Sequence, residues 1–295
     1  MTKSKSIFSQ LALALIFFMA TAVAQAKPTA VIIDIDDTLM DTRGRTREIL
    51  LEIGTFYKIP ELQTLTLENT DSSCHKTCSN AGIKNEDTLS KICGNRNGDT
   101  ESQSLWGKKF FLDGTYLKYD HVVPGAVAFL KRISELPVHI IYLSGRKEKY
   151  MLKATRKQLN FHHFPTARMG SKFTSEIILK PESANNNIDF KKNEITKLKK
   201  KYNIVFAVDD NEKNVNMFRN MLDESAIVVL LNKDLSKSVD FSQNVVTISN
   251  FYFNEKTEEN LKTRKSNQEE IEKILNHIQE LITESSGSLS ASLPL

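Results

Sequence analysis

The chain is short of single-sign charge: 40 Lys and Arg against 36 Asp and Glu leave a net charge of +4 in 295 residues. That balance is too even to argue for a nucleic-acid-binding protein on charge alone. Its longest apolar run, Leu11 to Val23, falls short of the roughly 20 residues that a membrane-spanning helix needs. There is no internal repeat, which excludes a solenoid or propeller. There are three cysteines, so whichever two might pair, one thiol is left over. None lies near Ala26, which excludes a lipid-modified amino-terminal cysteine there.

What is present at the amino terminus has an order to it. Lys3 and Lys5 precede the apolar run, which ends in Ala24-Gln25-Ala26, the layout of a cleavable signal peptide. Residues 1–26 are therefore expected to leave, giving a soluble periplasmic or secreted protein that begins at Lys27 and has no further business with a membrane. Two positive charges leave with them. The basic stretch Lys191 to Lys201 alternates with apolar positions and reads as one solvated helix face.

Apolar runs at Ala30 to Ile33, Val138 to Leu143, Glu176 to Leu179, Ile204 to Val208 and Ala226 to Leu231 alternate with helical spacings at Thr42 to Tyr57, after Pro124-Gly125, at Lys147 to Leu159, at Asp189 to Tyr202 and after Asp209-Asp210. Such alternation predicts an α/β fold, a doubly wound parallel sheet with helices on both faces. Residues 27–41 and 120–253 would form this core, and 42–119 an insertion holding Cys74, Cys78 and Cys93. Trp106, Phe110, Phe111, Tyr116 and Tyr119 are expected to pack the insertion on the core. Residues 254–295 would be an amphipathic helix, with Ile271, Ile274, Leu275, Ile278, Leu281 and Ile282 on one face, followed by a disordered Ser-rich tail.

The most informative segment is Ala30-Val31-Ile32-Ile33-Asp34-Ile35-Asp36-Asp37-Thr38-Leu39. A buried strand runs into three carboxylates at its carboxyl end, where open α/β sheets bind ligands. Side chains two apart on an extended segment point the same way, so Asp34 and Asp36 can face one site. Like charges that close repel unless a cation or a shared proton intervenes, and an all-oxygen ligand set suits a divalent metal. A calcium loop would need a glycine and a distal glutamate that are missing here.

Four elements fall on one rim of the expected sheet: Asp34-x-Asp36-x-Thr38; Ser144 with Gly145 and Arg146; a lysine; and Asp209-Asp210. In that order they resemble the four motifs of the haloacid dehalogenase superfamily of aspartate-nucleophile phosphohydrolases, over roughly residues 30 to 232. A receiver domain uses similar groups, with the acidic pair and the phosphoacceptor in the reverse order. The resemblance implies Asp34 as nucleophile and Asp36 as general acid and base. It implies Mg²⁺ held by Asp34, the Asp36 carbonyl and Asp209, with Asp210 nearby. Ser144, Gly145 and Arg146 would bind phosphate, although Arg146 could equally pair with an acid. The lysine is expected to be Lys192, with its neighbour Lys191 and the strand-end Lys180 as rivals.

The insertion falls where this superfamily places a cap over the site. Its Cys74-His75-x-x-Cys78 and Cys93 offer a zinc set or one of three disulfides, and an oxidising compartment favours the disulfide. His121, His162 and His163 have no partner in this reading. The chain is similar to the acid-phosphatase and 5′-nucleotidase branches, which implies a phosphorylated small molecule such as a nucleotide as substrate. The end of its fourth motif also looks like the phosphatase portion of polynucleotide-end-repair enzymes, which makes a nucleic-acid end the rival substrate. An exported binding module with vestigial activity is the alternative of a different class.

Overall fold

The computed structural model describes residues 27–95, 103–166, 173–184, 186–232, 245–251 and 261–290, the last with side chains over 268–283. The expected signal peptide lies outside these residues. Among them no helix is long and apolar enough to cross a membrane.

Six strands form one sheet: β1 (Thr29–Ile33), β4 (His139–Lys147), β5 (Thr174–Lys180), β6 (Asn203–Asp209), β7 (Ile227–Leu231) and β8 (Val245–Ile248). Their order is β5-β4-β1-β6-β7-β8, with every pairing parallel. β1 is central and fully buried, as its unbroken apolar run requires. Alternate β1 side chains go to opposite faces. Val31 and Ile33 meet Phe129, Leu130 and Ile133 of α6 (Ala126–Ser134). Ala30 and Ile32 meet α8 (Asn187–Lys201) and α9 (Glu212–Met221) through Phe190, Ile195, Leu198, Val215 and Phe218.

The predicted alternation of strand and helix is thus observed, with differences at its ends. β5 begins two residues earlier and ends one later than expected, and β8 was not expected at all. The carboxyl-terminal helix α10 (Leu261–Ser290) lays Ile271, Ile274, Leu275, Ile278 and Ile282 on the same face of the sheet as α6. Its backbone remains helical to Ser290, into the stretch where a disordered tail was expected.

Between β2 (Met40–Asp41) and β3 (His121–Val122), which pair antiparallel, the chain leaves the sheet and returns. The excursion builds a helical lobe from α1 (Arg43–Tyr57), α2 (Pro60–Gln63), α3 (Cys74–Asn80), α4 (Glu86–Cys93), α5 (Leu105–Leu112) and the 3-10 turn Gly114–Tyr119. The lobe has its own core, in which Ile49, Leu50 and Ile53 of α1 meet Leu89, Ile92, Trp106 and Phe110. Trp106 stacks on Phe110 with ring centroids 4.2 Å apart. Cys74 and Cys93 form a disulfide that closes a loop with a separation of 19 residues, worth about 3 kcal/mol by chain entropy. That bond takes two of the thiols a zinc site would have used. Cys78 is the thiol left over, buried 3.6 Å from the Cys93 Sγ, and burial pushes it up to about 12.

Candidate functional site

Parallel pairing of β1 with β6 brings Asp34 beside Asp209, since Ile33 lies opposite Val208 and the Asp34 N–H donates to the Val208 carbonyl at 3.1 Å. Just past Asp36, Asp37 takes a left-handed conformation at φ 59° and its N–H donates to the Met40 carbonyl at 2.6 Å. This tight turn brings Thr38 back towards the rim, where its hydroxyl donates to Asp210 at 3.2 Å.

Lys191 bridges the two strand-end acids. Its Nζ donates to Asp34 Oδ1 at 2.5 Å and to Asp209 Oδ2 at 2.6 Å, and all three side chains are nearly inaccessible. Lys192, expected in this place, is exposed. On α8, Lys191 shares a face with the buried Ile195 and Leu198, at i+4 and i+7, and Lys192 points about 100° away from it. Lys180 donates to Asn187 Oδ1 at 2.7 Å, and that side chain packs where a Cβ on Gly145 would stand, 2.5 Å from its Oδ1. Gly145 therefore allows α8 to start against the end of β4. Lys191→Met is expected to lower turnover about 10²–10³-fold by removing a fixed positive charge. Lys192→Met should stay within about 0.5 kcal/mol of the parent in stability with turnover retained. The reverse pattern in kcat would return the role to Lys192.

Asp209 is held by the Asn211 N–H at 2.9 Å and by Asn214 Nδ2 at 3.0 and 3.1 Å. Carboxylate oxygens of Asp34, Asp209 and Asp210 lie within 4.8 Å of one another. Burial, opposed by Lys191, and the neighbouring Asp209 push Asp34 up to about 7. Burial, then Asp209, Asp37 and Asp34, push Asp210 well above the usual carboxylate range. Fully ionised, these three acids set three negative charges against one lysine.

Asp36 has a different environment. Arg146 reaches it with Nε at 3.0 and 3.1 Å and Nη2 at 2.7 Å, and Arg45 of α1 reaches it with Nη2 at 2.5 Å. Both guanidiniums also bond Asp120, Arg45 at 2.8 and 2.5 Å and Arg146 at 3.3 Å. Burial alone would raise Asp36, but Arg146 and then Arg45 outweigh it and hold the carboxyl well below its usual range. Arg146 also donates to Thr155 at 3.0 Å and to Gln158 at 2.8 Å. It is wholly buried, so its expected place on a substrate phosphate is corrected: it pairs with acids. Ser144 is buried at the end of β4, with its Oγ accepting from the Arg146 N–H at 3.3 Å. Arg45 and Asp120, absent from the sequence reading, complete a neutral set of two arginines and two aspartates.

Residues 105–229 match the family described as the polynucleotide kinase PNKP phosphatase domain. No curated protein matches the chain. Solved structures that match include the Pnkp1/Rnl/Hen1 RNA repair complex, at 17% identity over 68% of this chain and 44% of that one, with a TM-score of 0.35. The chain thus spans less than half of that relative. A haloacid dehalogenase superfamily hydrolase from Ehrlichia chaffeensis matches at 16% identity over 88% of this chain and all of that one, with a TM-score of 0.41. A predicted phosphatase from Clostridium acetobutylicum matches at 13% identity, over 69% and 84%, with a TM-score of 0.42. Likenesses this distant do not bear on activity. The family match, by contrast, takes in Ser144, Lys191 and the Asp209-Asp210 pair, and with Asp34 and Asp36 on the adjoining strand end, outside the matched residues, it supports a phosphatase domain of the haloacid dehalogenase type in this chain.

Proposed function

We propose that the protein is an exported, Mg²⁺-dependent phosphomonoesterase that works through an aspartyl-phosphate on Asp34. The observation that carries this reading is the charge count on the rim. Asp34, Asp209 and Asp210 share one ammonium, that of Lys191, whereas Asp36 and Asp120 are balanced by two arginines. The deficit is two charges, and a divalent cation would close it. The donors are all oxygen, as Mg²⁺ prefers. Asp34, Asp209 and Asp210, with the Asp36 carbonyl, would hold the ion, which would supply charge stabilisation to the transferring phosphoryl group.

The chain's own residues account for the rest. A carboxylate oxygen of Asp34 attacks phosphorus in line, and the bond to the leaving oxygen breaks. Asp36, held ionised at rest by its two arginines, relays a proton from solvent to that oxygen and afterwards takes one from the water that releases phosphate from Asp34. Arg45 and Arg146 fix its position. Lys191 neutralises the nucleophile and the incoming phosphate, and Ser144 with the following N–H receives the phosphate oxygens. The helical lobe, joined at the β2–β3 neck, would act as the cap. The Cys74–Cys93 disulfide supports the exported reading. The polynucleotide kinase phosphatase match favours a nucleotide or nucleic-acid phosphate end as the second reading of the substrate.

The metal is tested by stability against pH. Asp34 has a folded pKa of about 7, above its unfolded value of about 3.9. The folded state therefore binds the extra proton, and stability falls as pH rises from about 4 to about 7. Mg²⁺ binding favours the ionised carboxylates and should remove that loss. Saturating Mg²⁺ is expected to raise the Tm more above pH 7 than near pH 5, and to restore turnover of an aryl phosphate after EDTA treatment. Indifference of both Tm and turnover to Mg²⁺ would remove the metal from the reading.

A further inference from the structure

The phosphatase reading leaves the three cysteines of the lobe unused. Cys74 and Cys78 stand one turn apart on α3, and both face Cys93, the last residue of α4. The three sulfurs lie within 4.8 Å of one another, and all three side chains are buried in the lobe's own core with Ile49, Leu50, Leu89 and Ile92. The lobe rests on the sheet domain elsewhere, where the 3-10 turn meets α7 (Glu148–Phe161) and a Cβ on Gly114 would stand 2.5 Å from the Ala154 Cβ.

A nitrogen donor flanks the sulfurs. His75 follows Cys74 and precedes Cys78 by three positions, which makes it a surface neighbour of Cys78 on the helix. Both of its ring nitrogens are buried without a hydrogen-bond partner, a state that buried polar atoms rarely keep. Packing alone accounts for one buried thiol, since cysteine serves as a small apolar residue. It does not account for a third sulfur gathered beside an unpartnered imidazole.

The distances fit a soft cation. Zinc–thiolate bonds of about 2.3 Å at tetrahedral angles set sulfurs about 3.8 Å apart, and the Cys78 and Cys93 Sγ atoms are 3.6 Å apart. Contacts other than the disulfide place the two helices. Thr77 Oγ1 donates to the Asp71 carbonyl and accepts from the Asp71 N–H, both at 2.9 Å. Thr46 of α1 donates to the Ser72 carbonyl at 3.0 Å, and Ser73 and Asn85 cap α3 and α4 with their side chains.

We propose that the lobe, when its disulfide is reduced, holds one Zn²⁺ through the thiolates of Cys74, Cys78 and Cys93, with His75 as the fourth donor. The ion and the Cys74–Cys93 bond are then alternative staples of one fold, and they exclude each other because the bond occupies two of the ligands. With a phosphine as reductant, two electrons pass from phosphorus to the S–S bond, which breaks; the sulfurs take two protons from water, and its oxygen ends on phosphorus. Three thiols then release their protons as the bonds to zinc form. Thiolates and imidazole select zinc over Mg²⁺, so this site differs in chemistry from the carboxylate rim, and the inference does not depend on the phosphatase reading.

The test titrates Co²⁺, a spectroscopic stand-in for Zn²⁺, into the full chain after reduction with a trialkylphosphine, with excess Mg²⁺ present to compete at the carboxylate rim. The reduced parent is expected to take up one equivalent with a thiolate-to-cobalt charge-transfer band and the visible bands of a tetrahedral ion, and to lose both when Zn²⁺ displaces the Co²⁺. Zn²⁺ should also raise its Tm. The unreduced parent should show neither effect. Cys78→Ser keeps the Cys74–Cys93 pair, so its oxidised form should fold as the parent does. Once reduced, it should bind Co²⁺ more than about 100-fold more weakly, beyond the roughly 10–100-fold that losing an outer-shell partner costs, and its Tm should not respond to Zn²⁺. His75→Ala should lose about tenfold or more and keep the charge-transfer band. The proposal is overturned if the reduced parent gives no such band or if Cys78→Ser binds as tightly as the parent. It is also overturned if the parent binds equally well in denaturant, where thiols of an unfolded chain would be the ligands. Unchanged affinity in His75→Ala overturns the fourth donor. None of these readouts involves turnover, so failure of the phosphatase reading is told apart from failure of this one.

Discussion

Asp34→Asn is expected to abolish hydrolysis of an aryl phosphate, by at least about 10⁴-fold in kcat, while leaving the protein as stable as the parent or more so. The two halves of the expectation have one cause. Asp34 is buried beside Asp209 and Asp210, and only Lys191 offsets their combined charge. An asparagine keeps the volume and an oxygen for Lys191 to donate to, and it removes one of the repelling charges, so the folded state has less to oppose it. The amide oxygen is a far poorer nucleophile, so the chemistry stops. Buried like charges that cost stability and are needed for turnover are the pattern of an active site. Measuring kcat and Tm on the same preparations separates the outcomes. Retained turnover would remove Asp34 as nucleophile, and a collapse of Tm would make it a structural residue.

The parallel core was legible because each central strand is an apolar run on its own, closed by a polar or helical segment. β8 was not expected, although Val245-Val246-Thr247-Ile248 is as long as the run Ala30 to Ile33 that marked β1. The carboxyl-terminal helix was legible as amphipathic, but periodicity says which residues share a face and not what covers them; the sheet face beside α6 does. At the site, Asp34, Asp36, Asp209 and Asp210 could be read because strand ends in a parallel sheet converge on one rim. Lys191 was missed by one residue, although the signal was present. Ile195 and Leu198 fix the buried face of α8, and only Lys191 is in phase with them. Arg45, Asp120 and the partners of Arg146 could not be read. Asp120 is 75 residues from Arg45 and 26 from Arg146, and nothing in the sequence relates positions so far apart. The disulfide was equally hidden, since three cysteines permit three pairings and only the packing of α3 on α4 selects one.

Asp120→Ala should be the most destabilising single change near the site, by about 3–5 kcal/mol, a large part of the 5–15 kcal/mol that typically holds a domain together. Asp120 is fully buried and accepts from Arg45, Arg146 and Gln158. Its loss leaves two buried guanidiniums facing one carboxylate. The cost comes from that unbalanced charge more than from the lost bonds, so restoring neutrality should recover much of it. Arg45→Met/Asp120→Leu, which keeps the Arg146–Asp36 pair, is expected to be more stable than Asp120→Ala and to show a coupling well above the 0.3–0.5 kcal/mol error of independent sites. Strict additivity in a denaturation cycle would refute the network. Turnover of the double variant carries the further information. Arg45 lies under the lobe, its guanidinium 4.2 Å from the Phe110 ring, so it is the connection through which the lobe holds Asp36. If that connection positions the acid and base, the double variant should be stable and slow, with kcat reduced while the Tm response to Mg²⁺ at the Asp34, Asp209 and Asp210 cluster is kept.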